Sequence, residues 1–204
     1  VNGMDHDRHP CQSMSDALTI LEHAGTLAGV TFAYVGDAAH PCNSLSTTLI
    51  KLGLHVRIGN AAGYEMASEL QELARTFAAE SGGSFLMTND PVEAVTGADF
   101  IYTDCWWWTG QEDEYKDRVA AFQAFQVNPD LWSHAKPEAK FMHCLPAMRG
   151  EEVVDEIADG PMSIIFPQAQ NRMHFQKALL LALIGIDELP AEPELQAIGK
   201  ALLS

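Results

Sequence analysis

Basic residues are scarce in this chain, whose 204 residues include 12 Lys and Arg against 28 Asp and Glu, for a formal net charge of −16. Proteins hold nucleic acids and anionic membranes largely by neutralising phosphate with Lys and Arg. The composition therefore argues against both partners, and any anionic ligand must be held by a local cationic group. A content of 47% hydrophobic and 20% charged residues predicts one large or two small globular domains with a sizeable core, so disorder is not expected.

Cysteine is also rare, and the four thiols show no CxxC pair and no zinc-finger spacing. They are Cys11, Cys42, Cys105 and Cys144. The pattern suggests neither a disulfide framework nor a structural zinc site, and we expect a reduced, cytoplasmic protein. No apolar run approaches the roughly 20 residues of a membrane span. The chain opens at Val1 with no initiator Met and no signal-like segment, so we expect it to be a fragment or a separately produced domain.

The phosphate-binding motifs of nucleotide enzymes are missing too. After the apolar run at 30–35 the chain reads Gly36-Asp-Ala-Ala-His-Pro41 rather than G-x-G-x-x-G, and no G-x-x-x-x-G-K-[ST] occurs. A nucleotide-binding oxidoreductase would need such glycines for close backbone approach to pyrophosphate. We therefore expect no binding of NAD.

Short apolar runs alternate with amphipathic segments and Gly-rich turns along most of the chain. The runs predict about six strands, at 30–35, 54–58, 84–88, 99–102, 140–142 and 163–166. The segments between and around them predict helices at 12–23, 44–52, 64–80, 91–95, 115–125, 129–134, 151–158 and 169–184. This alternation is typical of an α/β fold, a doubly wound parallel sheet with helices on both faces, similar to the Rossmann fold.

Polar side chains collect directly after the predicted strands. They are Asp37, Asp104, His143, Cys144 and the stretch 168–172, and a helix-opening loop adds His9 and Gln12. The carboxyl ends of parallel strands meet at one edge of a sheet, where ligands bind. We therefore expect these residues to converge, although a lone His9 could also be a capping residue and Asp37 a structural one.

The adjacent His143 and Cys144 leave several interpretations open. They could be a nucleophile with its base, a pair of metal ligands, a polar pocket lining or a buried structural pair. Nucleophilic catalysis by Cys144, with His143 or His9 as base, is disfavoured because adjacent residues at a strand end point in different directions.

Two charged residues extend this candidate site. Asp104 follows an apolar strand and could accept hydrogen bonds from a substrate ammonium. Arg172 lies early in an apolar helix, where its guanidinium should pair with a phosphate or a carboxylate, including one from this acidic chain.

Six motifs in a fixed order resemble the carbamoyltransferase family, most closely the ornithine carbamoyltransferases. They are His9-Pro-Cys-Gln12, Tyr34-Val-Gly-Asp37, Tyr102-Thr-Asp104, Gln126-Val-Asn128, Phe141-Met-His-Cys-Leu-Pro146 and Ala169-Gln-Asn-Arg172. The pair HPxQ and HCLP at this separation is highly specific, and the resemblance covers nearly the whole chain.

The resemblance implies that this chain corresponds to the second, amino-acid-binding domain of the family. The first domain of such enzymes carries a Ser-x-Arg-Thr-Arg motif for carbamoyl phosphate, and no such motif occurs here. The implied organisation is a loop and interdomain helix at 1–24, an acceptor-binding α/β domain at 25–184 and a tail at 185–204. Expected partners are a complementary amino-terminal domain, carbamoyl phosphate and an amine, and the full-length protein is expected to be a homotrimer.

The family also implies roles for individual residues. His9 and Gln12 would contact the carbamoyl group, and Arg172 would stabilise charge near the phosphate and the carbamoyl oxygen. Asp104 would hold the second ammonium of the acceptor, while Cys144 and the Leu145 backbone would lie beside the reacting amine. Catalysis would rest on positioning and on electrostatic stabilisation, with no metal and no organic cofactor.

The departures from the family pattern fall mainly on acceptor recognition. Ala39 and His40 stand where paired asparagines are usual, and Trp108 and Thr109 stand in place of a Ser-Met pair before Gly110. Gln170 also replaces a Glu. Ornithine is the expected acceptor, with another amine such as putrescine or a non-catalytic domain of the same fold as alternatives.

Overall fold

The strands of the fold form one parallel sheet in the computed structural model, which describes residues 2–5, 8–38 and 41–185. In this part of the chain they run Thr31–Val35 (β1), His55–Gly59 (β2), Ser84–Thr88 (β3), Phe100–Thr103 (β4) and Lys140–His143 (β5). Their spatial order is β3-β2-β1-β4-β5, with every neighbouring pair parallel. The predicted α/β fold class is confirmed.

Helices cover the sheet on both sides. They run Pro10–Ala24 (α1), Pro41–Lys51 (α2), Ser68–Ser81 (α3), Pro91–Val95 (α4), Tyr115–Phe122 (α5), Pro129–Trp132 (α6), Asp155–Ala158 (α7) and Ile165–Leu183 (α8). A proline opens α1, α4 and α6, where its missing N–H would have no partner in any case. Asp90 and Asn128 cap α4 and α6 by accepting from backbone N–H groups of the first turn.

Side chains alternate between two apolar cores because successive residues of a strand point to opposite faces. Phe32 and Tyr34 of β1 join the core beneath α1, α2 and α3, whereas Ala33 and Val35 join the core beneath α4, α6 and α7. Both faces of the central strands are therefore buried, which explains their nearly continuous apolar sequences.

The sixth predicted strand, at 163–166, is wrong. Ser163 forms a single parallel bridge with Phe141, and α8 already begins at Ile165. The apolar run thus combines an isolated bridge residue with the first turn of α8. Within it Ile164 and Ile165 are buried, whereas Phe166 is 69% exposed. Pro167 fits this helix start because it lies in the first turn, where no intrahelical partner awaits its nitrogen.

The strand order reverses between β1 and β4, and the carboxyl ends of these two strands are tied together. Thr103 Oγ1 donates to Val35 O over 2.7 Å. Gly36 follows with φ 132°, and a Cβ there would lie 3.4 Å from Thr103 Oγ1, so this turn favours glycine. Such a reversal is where open α/β sheets bind ligands. None of the described helices is both long and apolar enough to cross a lipid bilayer.

Candidate functional site

Asp104 and Cys144 meet at this edge, directly after β4 and β5. The thiol of Cys144 donates to Oδ1 of Asp104 over 3.0 Å. Asp104 is 2% exposed, whereas Cys144 is only partly buried. The second carboxylate oxygen, Oδ2, is buried and has no hydrogen-bond partner among the described residues. A ligand ammonium would supply the missing donor.

Burial changes the ionisation of both groups. Loss of solvation raises the pKa of Asp104 to about 6, against smaller opposing effects of His143 and Cys144. Burial, and then the negative charge of Asp104, hold the pKa of the Cys144 thiol well above its usual range. Cys144 therefore stays protonated at neutral pH and acts as a hydrogen-bond donor. Because the thiolate is the nucleophilic form of cysteine, a protonated Cys144 is poorly suited to nucleophilic attack.

His143 fixes the turn that follows β5. Its Nδ1 accepts from Leu145 N over 2.8 Å, so Nε2 carries the proton and faces Oε1 of Glu152 at 3.2 Å. Met148 N also donates to that oxygen. Leu145 adopts φ 60° and precedes a cis bond to Pro146. Because its N–H is engaged with His143, Leu145 can offer a ligand only its carbonyl oxygen.

The start of α1 brings His9 and Gln12 to the same region. His9 N donates to Ser44 Oγ of α2 over 2.9 Å, and His9 O accepts from the backbone of Gln12. Arg172 of α8 donates through Nη1 to Gln12 Oε1 over 2.7 Å. Among the described residues Arg172 forms no ion pair, so the intrachain salt bridge considered as an alternative role for it is not observed. Its charge remains available to an anion.

A buried carboxylate that the sequence patterns do not single out joins these groups. Asp16 lies one turn after Gln12 in α1 and is 0% exposed. Its Oδ1 accepts from Nε2 of Gln12 and from Nε2 of Gln168, each over 2.8 Å. The spacing of four residues between Gln12 and Asp16 could have indicated this contact, because residues i and i+4 lie on the same face of a helix.

The tryptophan-rich loop is held by packing and by hydrogen bonds. Trp106 is buried and stacks on Phe122, with ring centroids 6.1 Å apart. Trp107 donates through Nε1 to Glu151 Oε2 over 3.0 Å. Trp108 is half-buried and its backbone N–H donates to Gln111 Oε1, while Thr109 lies exposed at the tip. The first two indoles are thus structural, and Trp108 and Thr109 remain as predicted contacts with the acceptor.

The base of this loop is pinned by an ion pair. Arg118 Nη1 lies 2.8 Å from Asp37 Oδ2 and also donates to Trp106 O. The guanidinium packs over the ring of Tyr64, 5.1 Å from its centroid. Asp37 therefore has a structural role, as an ion-pair anchor between the end of β1 and α5, whereas the sequence suggested bonding to nearby backbone amides.

Two groups of potential metal ligands occur in the described residues, and both contain His143. They are Asp104, His143 and Cys144, and Cys105, His143 and Glu152, with ligand atoms within 4.8 Å of one another. Both ring nitrogens of His143 are already engaged by Leu145 N and Glu152. A metal on either nitrogen would displace one of these contacts, and the absence of a metal requirement stays a prediction. His40 and Ala39 lie outside the described residues.

Residues 28–183 match the model of the "Aspartate/ornithine carbamoyltransferase, Asp/Orn binding domain". The chain belongs to the aspartate/ornithine carbamoyltransferase family. Within this family it is 49% identical to the ornithine carbamoyltransferase of Pyrococcus horikoshii over 185 residues, covering 91% of the chain and 58% of the relative. The Bacillus subtilis enzyme is also 49% identical, over 184 residues, with 90% and 58% covered.

Solved structures of carbamoyltransferases share the fold. The ornithine carbamoyltransferase from Pyrococcus furiosus superimposes with a TM-score of 0.85 at 49% identity, over 88% of this chain and 57% of that one. The Gloeobacter violaceus enzyme gives 0.83 at 38% identity, over 90% and 61%. The chain thus spans a little under three fifths of the length of the two curated relatives described, and its carbamoyltransferase match is to the domain that binds the amino acid.

Proposed function

We propose that this chain supplies the acceptor half of an enzyme that transfers the carbamoyl group of carbamoyl phosphate to the side-chain amine of ornithine, giving citrulline and phosphate. The observation that carries the proposal is the buried Asp104 carboxylate, with one oxygen bonded to Cys144 and the other without a partner among the described residues. An ammonium group is the ligand that such an oxygen accepts best. The names of the 49% identical relatives support ornithine as its source.

The neutral amine of the acceptor attacks the carbamoyl carbon, the bond from that carbon to the phosphate oxygen breaks, and the departing phosphate takes the proton that the nitrogen loses. Cys144, held protonated, and the carbonyl oxygen of Leu145 orient the attacking nitrogen. Asp104 holds the second ammonium of the acceptor. Arg172, which forms no ion pair in the described part of the chain, stabilises the charge that develops on the carbamoyl oxygen and the departing phosphate.

The carbamoyl group is held by His9 and Gln12 at the start of α1. Because Gln12 Nε2 is committed to Asp16, the group of Gln12 that can bind a ligand is Oε1, whose second lone pair accepts from the carbamoyl amide. Arg172 already lies against this oxygen, so the two residues would receive the carbamoyl group together. In this proposal catalysis comes from positioning and fixed charge, without a cofactor.

A complementary domain for carbamoyl phosphate is part of the proposal. The outer surface of α8 carries exposed Met173, Leu180, Leu183 and Ile184, each more than half exposed. An apolar surface of this kind is typical of an interface. We assign 1–24 to a loop and interdomain helix and 185–204 to a C-terminal tail or helix, which beyond residue 185 lies outside the described residues. We also place the enzyme in the cytoplasm, in keeping with its four free thiols, and expect a homotrimer.

The residues that depart from the family pattern, above all those in the loop that follows Asp104, favour an alternative acceptor. Trp108 and Thr109 replace the Ser-Met pair of the family pattern, and Ala39 and His40 replace its paired asparagines. These changes remove groups that would recognise an amino acid's carboxylate and α-amine. A diamine such as putrescine lacks that carboxylate and is the alternative acceptor.

The test is an assay of carbamoyl phosphate with ornithine and with putrescine, using this chain joined to or mixed with a carbamoyl-phosphate domain. Citrulline formation that Asp104→Asn reduces through a higher KM for ornithine would support the proposal, with exposed Asp117→Asn as the matched control. Product from putrescine alone would overturn ornithine as acceptor. Product from no amine would favour a binding module that has lost catalysis.

A further inference from the structure

A continuous chain of hydrogen bonds crosses the site and has Asp16 at its centre. Arg172 donates to Gln12 Oε1 over 2.7 Å, and Gln12 Nε2 donates to Asp16 Oδ1 over 2.8 Å. On the other side Gln168 Nε2 donates to the same oxygen over 2.8 Å, and Gln168 Oε1 accepts from His143 N over 2.9 Å. One carboxylate oxygen therefore links α1, α8 and the end of β5.

The first arm of this chain fixes which end of Gln12 faces the site. Oδ1 of Asp16 is the acceptor in both hydrogen bonds, so it selects the NH₂ group of the Gln12 amide and leaves Oε1 pointing away from itself. Arg172 lies at that oxygen. Without Asp16 the amide could rotate by half a turn and present a donor where the carbamoyl NH₂ needs an acceptor.

The second arm fixes the position of the turn at Cys144. The Gln168 carbonyl oxygen holds the N–H of His143, which is 1% exposed and is the last residue of β5. Cys144 and Leu145 follow immediately. Asp16, which orients Gln12 where the carbamoyl group is proposed to bind, therefore also fixes the position of the turn that carries Cys144 and Leu145, where the amine is proposed to bind.

The environment of Asp16 makes a purely structural role a poor explanation. A fully buried carboxylate is costly to maintain, because it gives up hydration that two amide donors replace only in part. Burial raises its pKa to about 7, against smaller opposing effects of Gln168, Gln12, Tyr102 and Arg172. One turn further on, α1 and α8 are joined without a buried charge, because Asn171 Nδ2 donates to Thr19 Oγ1 over 3.0 Å and to Oε2 of the exposed Glu22 over 2.6 Å.

We propose that Asp16 is a positioning residue for carbamoyl transfer, which orients the Gln12 amide and fixes the turn at Cys144 through Gln168. It touches neither substrate, and it acts by holding the two halves of the site in register. This role rests on the proposed function, because the groups it positions are those assigned to the carbamoyl group and the amine.

The kinetic test compares three variants in the enzyme made of this chain and a carbamoyl-phosphate domain. Asp16→Ala should lower kcat about 100-fold with a smaller change in the KM for ornithine, since misplacement of reacting groups acts on the chemical step. Asp16→Asn keeps an acceptor oxygen and should recover kcat to within about 5-fold of the parent. Thr19→Val, which removes one of the two hydrogen bonds that Asn171 of α8 donates to α1, should stay within about 2-fold. Equal losses in Asp16→Ala and Thr19→Val would overturn the proposal.

A second measurement keeps the inference separable from the proposed reaction. In ¹⁵N spectra of the chain, Asp16→Ala should increase hydrogen exchange at the side-chain amides of Gln12 and Gln168 by at least about 10-fold, and Asp16→Asn should preserve their protection. Unchanged protection in Asp16→Ala would overturn the positioning role. If the parent enzyme carbamoylates no amine while these amide signals respond as expected, the proposed function fails and the positioning by Asp16 stands.

Discussion

The thiol of Cys144 donates to Oδ1 of Asp104 over 3.0 Å, and this contact determines the chemistry of both side chains. The thiol donates to one oxygen of a buried carboxylate, and the other oxygen has no hydrogen-bond partner among the described residues. In return the carboxylate opposes ionisation of the thiol. Cys144 is therefore a protonated hydrogen-bond donor, and its place in the lining of a ligand pocket stays a prediction.

The first prediction concerns the reactivity of Cys144. Because its pKa is raised by burial and by Asp104, alkylation by iodoacetamide at pH 7.5 should be at least about 10-fold slower than for an unstructured cysteine peptide. Asp104→Asn removes the negative charge and should accelerate the reaction. Mass spectrometry of the modified peptide identifies the site, and the buried Cys42 serves as an internal reference. Peptide-like reactivity of Cys144 in the parent would contradict this prediction.

The second prediction concerns turnover. In the enzyme combined with its carbamoyl-phosphate domain, Arg172→Ala and His9→Ala should each lower kcat by about 100-fold or more, since each removes a contact at the reacting group. His174→Ala on the exposed side of α8 should have little effect. Steady-state assays of citrulline measure the change. Near-normal turnover in both site variants would refute the assigned roles.

The third prediction concerns the pH dependence of stability. The pKa of Asp16 is raised to about 7 in the folded chain, so the native state binds a proton that the unfolded state releases near pH 4. The resulting stabilisation is fully present below the unfolded pKa and is lost as the pH rises through about 7. Asp16→Asn should remove this dependence, so that its stability relative to the parent increases between pH 5 and pH 8.

Urea unfolding at intervals across that range gives the required free energies. Asp117→Asn removes one exposed charge from the same acidic chain and controls for general repulsion. Parallel stability curves for the parent and Asp16→Asn would show that the buried carboxylate does not titrate as the structure indicates.

The fourth prediction concerns the ion pair at the base of the tryptophan loop. Arg118→Met leaves the carboxylate of Asp37 without its guanidinium and should lower the free energy of unfolding by about 3 to 5 kcal/mol, the range for breaking a buried pair. Arg149→Met, which removes the exposed contacts with Asp155 and Asp159, should cost much less. The double variant Arg118→Met with Asp37→Asn should recover part of the loss. Equal effects of the two arginine variants would contradict the assignment.

The sequence predicted most of the fold from two periodicities. The alternation of short apolar runs with helical segments placed five strands correctly, because parallel strands buried on both faces leave a continuous apolar signal. The run at 163–166 was misassigned for the same reason. A short apolar stretch cannot by itself distinguish a strand from the buried start of a helix, and the first turn of α8 takes up half of it.

For the site, residue order alone placed Asp104 and Cys144 at one edge, because parallel strands end there. Gln12 and Arg172 reach the same region on α1 and α8, through hydrogen bonds that the tertiary structure supplies. The sequence could not show that Arg172 bonds to Gln12 rather than to a carboxylate, or that Glu152 holds His143. These pairings join residues distant along the chain or across a turn, and they depend on side-chain directions that no spacing encodes.

The sequence by itself determined the parallel α/β architecture and the family, because local periodicity indicates the first and short motifs indicate the second. Only the tertiary structure decided the chemical state of the site. Burial of the Cys144 thiol, together with the charge of Asp104, raises its pKa and keeps it a hydrogen-bond donor. Packing also makes Asp16, one residue of a helix, the link between α1, α8 and β5. Desolvation is a property of the assembled core, so the ionisation of these groups has no signature in the order of residues.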